Sequence, residues 1–295
     1  MTASGLVSPP IALLAGIVYG FSFAHPYHLD SKNLSRFLLQ ASIVALGFGM
    51  NLRQVVRAGR TGFVYTAVGI SFALLLGWGL GRVLQVSKKA SFLITAGTAI
   101  CGGSAIAAIA PITKPTDEEM AMSLGTVFTL NSVALLLFPA IGMAFHMTQT
   151  QFGLWAALAI HDTSSVVGAA AKYGTQALQI GTTVKLARAL WIVPVAMLTA
   201  YATKTKARVQ WPWFILLFCV AAVANTYIVF GAKLFGVFSN LGRVGLTVVL
   251  FLIGTGLSRE TLRRVGVRPF LQGVMLWAII ATVSLLAIRA GWIGL

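Results

Sequence analysis

The chain has 295 residues, of which 58% are hydrophobic and 9% are charged, and its mean hydropathy is +0.87. Soluble domains carry about 25% charged residues, so this composition excludes a soluble enzyme and indicates an all-α polytopic membrane protein. The net charge of +16 does not indicate a nucleic-acid partner, because the Lys and Arg residues lie at the ends of apolar runs. In that position they act as topology signals and contact lipid head groups.

Ten apolar segments follow one another along the chain, at about 20 residues for each membrane span. Gly and Pro mark most of the connections, and no linker is long enough to separate soluble domains. Residues 1–295 are therefore predicted to form a single integral membrane domain. The segments are roughly 10–24, 34–52, 62–84, 90–110, 117–146, 152–173, 177–202, 211–230, 239–257 and 269–293.

The charged residues between these segments predict an orientation in the membrane. If every segment crosses, one face carries twelve Lys and Arg residues and the other carries eight, with Lys114 on the less basic face. The positive-inside rule places the more basic face in the cytoplasm. We therefore expect a protein of a bacterial-type inner (plasma) membrane with both termini outside.

An internal repeat emerges when the chain is shifted by 207 residues, which aligns residues 33–84 with residues 240–291. Asn33 then matches Asn240, and several glycine and arginine positions recur in both copies. An odd number of segments separates the copies, so they would be inverted in the membrane, as in many secondary transporters. Chance similarity between Gly-rich apolar helices is the alternative.

Two of the apolar segments, 90–110 and 152–173, are interrupted by glycine or polar residues. A pair of glycines costs about 2 kcal/mol of helix propensity relative to Ala, and a break in hydrocarbon persists only where it lines a cavity or is buried in protein. The first break centres on Gly102 and the second on Asp162. The two discontinuous segments would be parallel if both cross the membrane and inverted if both are re-entrant hairpins.

Charge inside the apolar segments is the strongest functional signal. Asp162 is the only acid well inside a segment, and a carboxylate there costs at least about 2.5–3.5 kcal/mol, so it is functional or part of a structural ion pair. Lys185 and Arg188 lie on one helix face, where they either extend to the interface or neutralise Asp162 in the bundle. His161 beside Asp162 can titrate near neutral pH. One acid and two bases leave a net charge of +1 inside the segments when His161 is neutral, and helix N-termini add partial positive charge. This positive charge favours an anion as substrate.

The sequence contains no P-loop, nucleotide-binding fingerprint or metal-ligand spacing. We therefore expect neither an enzyme nor an ATP-driven pump, and we expect no metal site and no cofactor beyond Na⁺ or H⁺ as a coupling ion. The expected partners are a small anion and membrane lipid, and a homodimer is a candidate assembly.

The motifs Cys101–Ala108, Ile160–Asp162 and Val184–Arg188 resemble those of the YeiH-type sulfate exporter family, and this resemblance covers nearly the whole chain. Members of that family carry His-Glu where this chain has His-Asp, which keeps a carboxylate with a shorter reach. More distantly, Gly47–Leu52 and Cys101–Ser104 resemble the bile-acid symporter and sodium/proton antiporter superfamily. The resemblances imply sulfate export and an inverted-repeat fold, in which discontinuous helices cross at mid-membrane and a core domain moves against a scaffold.

These observations together predict a secondary active transporter of a small inorganic or sulfonate-type anion that works by alternating access. In this hypothesis His161 and Asp162 couple transport to protons or sodium. A sodium/proton antiporter with Asp162 as the ion carrier is the alternative, and a non-transporting receptor or scaffold is a third hypothesis. The expected anion-binding residues are Cys101, Gly102, Gly103, Ser104, Ala105, Ser164, Ser165, Lys185 and Arg188.

Overall fold

The computed structural model describes residues 11–12, 15–16, 18–19, 28–204, 213–228, 231–255 and 266–294, and these residues form helices and no strand. The all-α prediction is confirmed for them. Most of the predicted segment 10–24 and the basic residues between 205 and 208 and between 259 and 264 lie outside the described residues. The helices are α1 (His28–Gly47), α2 (Leu52–Val83), α3 (Lys88–Ala99), α4 (Gly103–Thr113), α5 (Asp117–Ala144), α6 (Gln149–Ala159), α7 (Thr163–Tyr173), α8 (Thr175–Ala189), α9 (Ile192–Thr203), α10 (Trp213–Tyr227), α11 (Ala232–Thr255) and α12 (Val267–Arg289).

Several described helices are long and apolar enough to cross a membrane, which supports an integral membrane protein. One of these spans consists of α8 and α9, which are separated only by a short turn. The ten crossing or re-entrant segments stay a prediction. The spans identified by length and hydropathy within the described ranges are Tyr65–Val83, Glu118–Ala144, Thr175–Thr203 and Val267–Arg289.

Helices α3 and α4 form a helical hairpin. At its open end, Lys89 Nζ donates a hydrogen bond to the carbonyl oxygen of Lys114 at 2.7 Å. The start of α3 and the end of α4 therefore lie side by side, on the same face of the molecule. Lys114 was placed on the opposite face only on the assumption that residues 90–110 cross fully. Of the two arrangements left open for this segment, the contact between Lys89 and Lys114 fits the hairpin.

Helices α6 and α7 form a second helical hairpin. The hydroxyl of Tyr173, the last residue of α7, donates to the carbonyl oxygen of Met147 at 2.6 Å, just before α6 begins. The rings of Phe152 and Tyr173 stack with their centroids 3.8 Å apart. Both interrupted segments are thus discontinuous, as predicted, and each break is the tip of a hairpin.

Helix α5 separates the open ends of the two hairpins. It begins at Asp117, three residues after Lys114, with a capping box in which Thr116 Oγ1 accepts from the N–H of Glu119 at 3.2 Å. It ends at Ala144, three residues before Met147. Its 28 residues span about 42 Å at 1.5 Å per residue. The two hairpins therefore start from opposite ends of α5 and point toward each other.

Helix α12 holds both hairpins in place. Gln272 Nε2 donates to the carbonyl oxygen of Gly77 at 3.0 Å and to Ser91 Oγ at 2.8 Å, which links α12 to α2 and α3. Farther along α12, the carbonyl oxygen of Ala281 accepts from Trp155 Nε1 of α6 at 2.9 Å. Buried polar groups need such partners, since leaving one unpaired costs about 1–3 kcal/mol.

The predicted repeat arms, 33–84 and 240–291, fall on comparable helices. The first contains most of α1 and α2, and the second contains most of α11 and α12. Helices α1 and α11 approach closely, since a Cβ added at Gly242 would lie 2.8 Å from the carbonyl oxygen of Ser42. Residues 256–265 of the second arm lie outside the described part of the chain. The inverted relation between the arms stays a prediction.

Candidate functional site

The tips of the two hairpins touch at Gly102 and Asp162. Gly102 has φ +67° and ψ −132°, a conformation that L side chains rarely adopt. A Cβ added there would lie 3.0 Å from Asp162 Cβ and 3.5 Å from Asp162 N. Only glycine satisfies both the backbone turn and this close approach. The tip of the first hairpin thus requires the glycine that the sequence places there.

The N-terminus of α4 is the less protected of the two helix starts at the tips. Its N-cap residue is Gly102, which provides no side chain to accept from the first N–H groups. Ser104 is exposed, whereas Cys101 and Ala105 are buried. Gly103 packs against the ring of Phe128, where an added Cβ would lie 2.8 Å from the ring. The N–H groups of this first turn form a positive helix end with no acidic cap.

The N-terminus of α7 is capped by Asp162. One carboxylate oxygen, Oδ1, accepts from the N–H of Ser165 at 2.7 Å, and the other, Oδ2, accepts from Ser164 Oγ at 2.8 Å. Aspartate is a favoured N-cap residue because its carboxylate satisfies N–H groups that the helix leaves unpaired. The half-buried Asp162 therefore occupies the position in which the sequence predicted a bound anion next to Ser164 and Ser165.

Lys185 of α8 is fully buried, with 0% of its surface exposed. Its ammonium donates to the carbonyl oxygen of Ile160 at 2.6 Å and lies 3.5 Å from that of Ala157. These carbonyls belong to the last turn of α6 and the residue that follows it. A cation is stabilised there by the negative end of the helix dipole.

Arg188 joins the ends of both incoming helices. Its Nε donates to the carbonyl oxygen of Ala99 at 2.6 Å, at the end of α3. Its Nη1 donates to the carbonyl oxygens of Leu158 and Ala157, in the last turn of α6, the latter at 3.3 Å. The guanidinium presents five N–H donors in a fixed plane, so one side chain can bind carbonyls of two different helices. The side chain is 2% exposed.

Lys185 and Arg188 were predicted either to extend to the membrane interface or to neutralise Asp162 inside the bundle, and the structure matches neither prediction completely. Both lie inside the bundle, so extension to the membrane interface is wrong for Lys185 and Arg188. Within the described ranges, neither forms an ion pair with Asp162, and the hydrogen bonds of both go to backbone carbonyls. Carbonyl groups have no side-chain signature in a sequence, which is why these partners could not be predicted.

His161 lies between the tips and α5. Its backbone N–H donates to Asn131 Oδ1 at 3.0 Å, and its ring is buried. Within the part of the chain that the structure describes, neither ring nitrogen has a hydrogen-bond partner, and the same holds for the Nδ2 group of Asn131 and the hydroxyl of Thr182. His161, Asn131 and Asp162 thus place polar groups at the tip of the second hairpin.

A comparison with protein-family models identifies the family to which this chain belongs. A family model described as Conserved hypothetical protein 698 matches residues 1–273. The chain belongs to this family. The match covers both hairpins, helices α8 and α9, and the first part of α12.

Relatives of this Conserved hypothetical protein 698 member are named UPF0324 membrane proteins. One from Bacteroides thetaiotaomicron is 48% identical over 96% of this chain and 86% of the relative. One from Bdellovibrio bacteriovorus is 50% identical over 97% and 90%, and one from Geobacter sulfurreducens is 45% identical over 99% and 94%. No solved structure matches the chain. These names support a membrane protein but give no support to the predicted YeiH-type or bile-acid symporter kinship.

In this family member, the structure brings the predicted site residues to one place. Gly102 and Asp162 touch, and Lys185 and Arg188 bind the carbonyls behind them. Asn131 of α5 also contacts the backbone of His161.

Proposed function

We propose that this protein is a secondary active transporter of a small inorganic or sulfonate-type anion such as sulfate. The observation that carries the proposal is the meeting of two opposed hairpin tips in front of two buried cations, Lys185 and Arg188. It is neither an enzyme nor a passive scaffold in this proposal. A scaffold has no need for two broken helices and two buried charges, each of which is costly in an apolar bundle.

The hairpin geometry supports transport by alternating access. Secondary transporters commonly place their substrate between discontinuous helices near mid-membrane, at the interface of inverted repeats. Here the tips of the α3–α4 and α6–α7 hairpins meet after entering from opposite ends of α5. In the proposal the hairpins are re-entrant and inverted, in agreement with the longer predicted repeat. Movement of the tips relative to the other helices would then open the site to either side.

The charge at the tips supports an anion rather than a cation as substrate. Carbonyl oxygens at the ends of broken helices commonly coordinate Na⁺ in transporters. Here the carbonyls of Ala99 and Ile160 already accept hydrogen bonds from Arg188 and Lys185. Together with Asp162, these side chains leave one formal positive charge, and the uncapped start of α4 adds partial positive charge.

The proposed anion therefore binds at the start of α4. The N–H groups of Gly103, Ser104 and Ala105 and the hydroxyl of Ser104 hold its oxygens, next to the turn formed by Cys101 and Gly102. Lys185 and Arg188 act from behind, through the field of their charges. His161 and Asp162 couple transport to H⁺ or Na⁺. The second predicted anion position, at Ser164 and Ser165, is bonded to Asp162 and serves coupling instead.

The hairpins also strengthen the proposed orientation. Placing Lys114 beside Lys89 moves it to the more basic face, which changes the distribution of Lys and Arg from twelve against eight to thirteen against seven. The positive-inside rule then favours that face as cytoplasmic and both termini as external, in a bacterial-type inner membrane.

A sodium/proton antiporter with Asp162 as ion carrier is the second candidate. One observation favours it. The carboxylate of Asp162 is only half-buried and lies at the point where the tips meet, so an ion from solvent could reach it. In that case the positive charge of Lys185 and Arg188 would serve only to hold the hairpins.

Transport by the purified protein in liposomes tests the proposal. We expect uptake of labelled sulfate into vesicles preloaded with unlabelled sulfate, and loss of uptake in Ser104→Val. Lys172→Ala, which removes an exposed cation away from the tips, should transport normally. No sulfate uptake, combined with proton movement driven by a sodium gradient, would replace the proposal with the antiporter.

A further inference from the structure

A cavity of about 460 Å³ lies away from the hairpin tips, between the end of α2 and the beginning of α3. Its apolar wall is formed by Leu74, Trp78 and Phe92. Arg82, Gln85 and Lys88 lie at its charged edge, and none of the described residues that line it is acidic. The cavity is therefore an apolar groove with a basic edge, at the level where the helices end.

The basic edge is ordered around Trp78. The Arg82 guanidinium lies over the Trp78 ring, with 4.0 Å between its Cζ and the ring centroid. Trp78 is 59% exposed although it belongs to a long apolar helix. Tryptophan is enriched at the membrane–water interface, where its ring is apolar and its N–H is polar. A third cation reaches this edge from α12, since Arg268 Nη1 lies 3.4 Å from Gln85 Oε1.

Lys88 is unpaired at the start of α3 in the described part of the chain. It is the first residue of α3, where a cation opposes the positive end of the helix dipole. Its neighbour Lys89 binds the carbonyl of Lys114, but Lys88 is exposed and has no hydrogen bond or ion pair within the described ranges. Glu119, which lies beside the start of α3, accepts from Ser87 Oγ at 2.6 Å and from the N–H of Thr116 at 2.9 Å. Lys88 is thus free to bind a ligand.

We propose that this groove binds an anionic phospholipid. Arg82 and Lys88 bind the phosphate of the head group, and an acyl chain lies along Leu74, Trp78 and Phe92. The chemistry fits because basic residues at helix ends attract anionic head groups, while the apolar wall continues into the membrane. This inference rests on the membrane character of the chain and not on the proposed transport.

The inner end of the groove connects the lipid to the first hairpin. Ser91 and Thr95 of α3 line it, and both contact Nε2 of Gln272, at 2.8 and 3.3 Å. A Cβ added at Gly81 would lie 1.9 Å from Ser91 Oγ, so the absence of a side chain at Gly81 lets α2 approach α3 here. A lipid in the groove would contact the base of the hairpin whose tip is Gly102.

The test uses the purified full-length protein in detergent, with phosphatidylglycerol added at fixed ionic strength. We expect phosphatidylglycerol to raise the Tm of the wild type, and phosphatidylcholine with the same acyl chains to raise it much less. Arg82→Gln combined with Lys88→Gln should raise the half-maximal phosphatidylglycerol concentration at least about tenfold. Lys172→Gln combined with Lys233→Gln removes the same charge from exposed positions elsewhere and should leave that concentration unchanged.

Three outcomes would overturn the proposal. The first is an equal response of both double variants to phosphatidylglycerol. The second is equal stabilisation of the wild type by phosphatidylcholine. The third is a rise in the Tm of the wild type with glycerol phosphate at the same concentration that is absent in the variant with Arg82→Gln and Lys88→Gln. That result would assign the groove to a soluble phosphate compound. If the double variant is unstable, Lys88→Gln alone serves, because removing a cation from a helix N-terminus does not weaken the helix.

Discussion

Gly102 and Asp162 approach so closely that a methyl group on the first would lie 3.0 Å from Cβ of the second. The contact joins the tip of one hairpin to the N-cap of the other hairpin's second helix. The two breaks in the apolar segments therefore form a single structure, and a change at one tip acts directly on the other.

Gly102→Ala should destabilise the protein and abolish transport. A residue with a side chain at positive φ costs about 1–2 kcal/mol, and the methyl group would also press on Asp162. The matched control is Gly69→Ala in α2, where nothing lies within 4 Å of an added Cβ and where Ala is the better helix former. Thermal unfolding in detergent measures the effect. Equal Tm values for the two variants would show that the tips do not meet in this way.

Arg188→Ala should destabilise the protein by about 1–3 kcal/mol, the usual cost of leaving a buried hydrogen-bonding group without its partner. It leaves the carbonyls of Ala99 and Leu158 without their donor. Arg188→Lys should recover only part of the loss, because one ammonium cannot replace a planar group that reaches two helices. The measurement is thermal unfolding with sulfate or chloride at fixed ionic strength. Normal stability of the Ala variant would contradict the bridging role.

Lys185→Met separates charge from shape at the same site. Met has a similar length but no charge, so we expect weaker stabilisation by sulfate, together with a lower Tm because the carbonyl of Ile160 loses its partner. Conversely, a variant that retains the full sulfate-dependent rise in Tm would show that the charge of Lys185 does not contribute to anion binding.

Asp162→Asn should keep the fold and remove coupling. Asn is as good an N-cap as Asp, so the hydrogen bond to the N–H of Ser165 is retained while the charge is lost. Asp162→Ala loses the cap as well and should cost about 1 kcal/mol of stability. Sulfate uptake is measured with and without pH and sodium gradients. Unchanged gradient dependence in Asp162→Asn would exclude this residue as the coupling site.

The hairpins predict an accessibility pattern that full crossings do not. In a background with Cys101→Ala and Cys219→Ala, single cysteines replace Lys88, Glu118 or Lys172. Positions 88 and 118 should react with a membrane-impermeant thiol reagent from one side, and position 172 from the other, because α3 and α4 return to the face that they leave. If positions 118 and 172 react from the same side of the membrane, the segment at residues 90–110 crosses the membrane and does not form a hairpin.

The sequence predicted the breaks well because each has a local cause. Gly102 and Gly103 interrupt an apolar run, and Asp162 is an acid that hydrocarbon does not tolerate. The direction of the chain after each break could not be predicted, since it depends on contacts such as that of Lys89 with Lys114, which are distant in sequence and involve a carbonyl. For this reason both arrangements stayed open in the sequence, and the face assigned to Lys114 depended on which of them was assumed.

The role of the buried cations shows a second limit of sequence reasoning. Their spacing correctly indicated a shared helix face, but an acid was the only partner that the sequence could suggest for Lys185 and Arg188. Their partners are helix ends, whose partial negative charge depends on where the helices stop. Once α3 is known to end at Ala99 and α6 at Ala159, two cations facing those ends need no acidic partner.

The short arms of the hairpins have a consequence for the membrane potential. Each arm is 11 or 12 residues long, about 17 Å, so each hairpin reaches only part of the way along α5. In the proposed transporter, the insulating layer between the two aqueous compartments is then thinnest where the tips meet. The voltage would fall steeply over that layer, at about 2.3 kcal/mol per elementary charge for each 100 mV. A single step of an anion past Gly102 would carry most of the electrical work of transport.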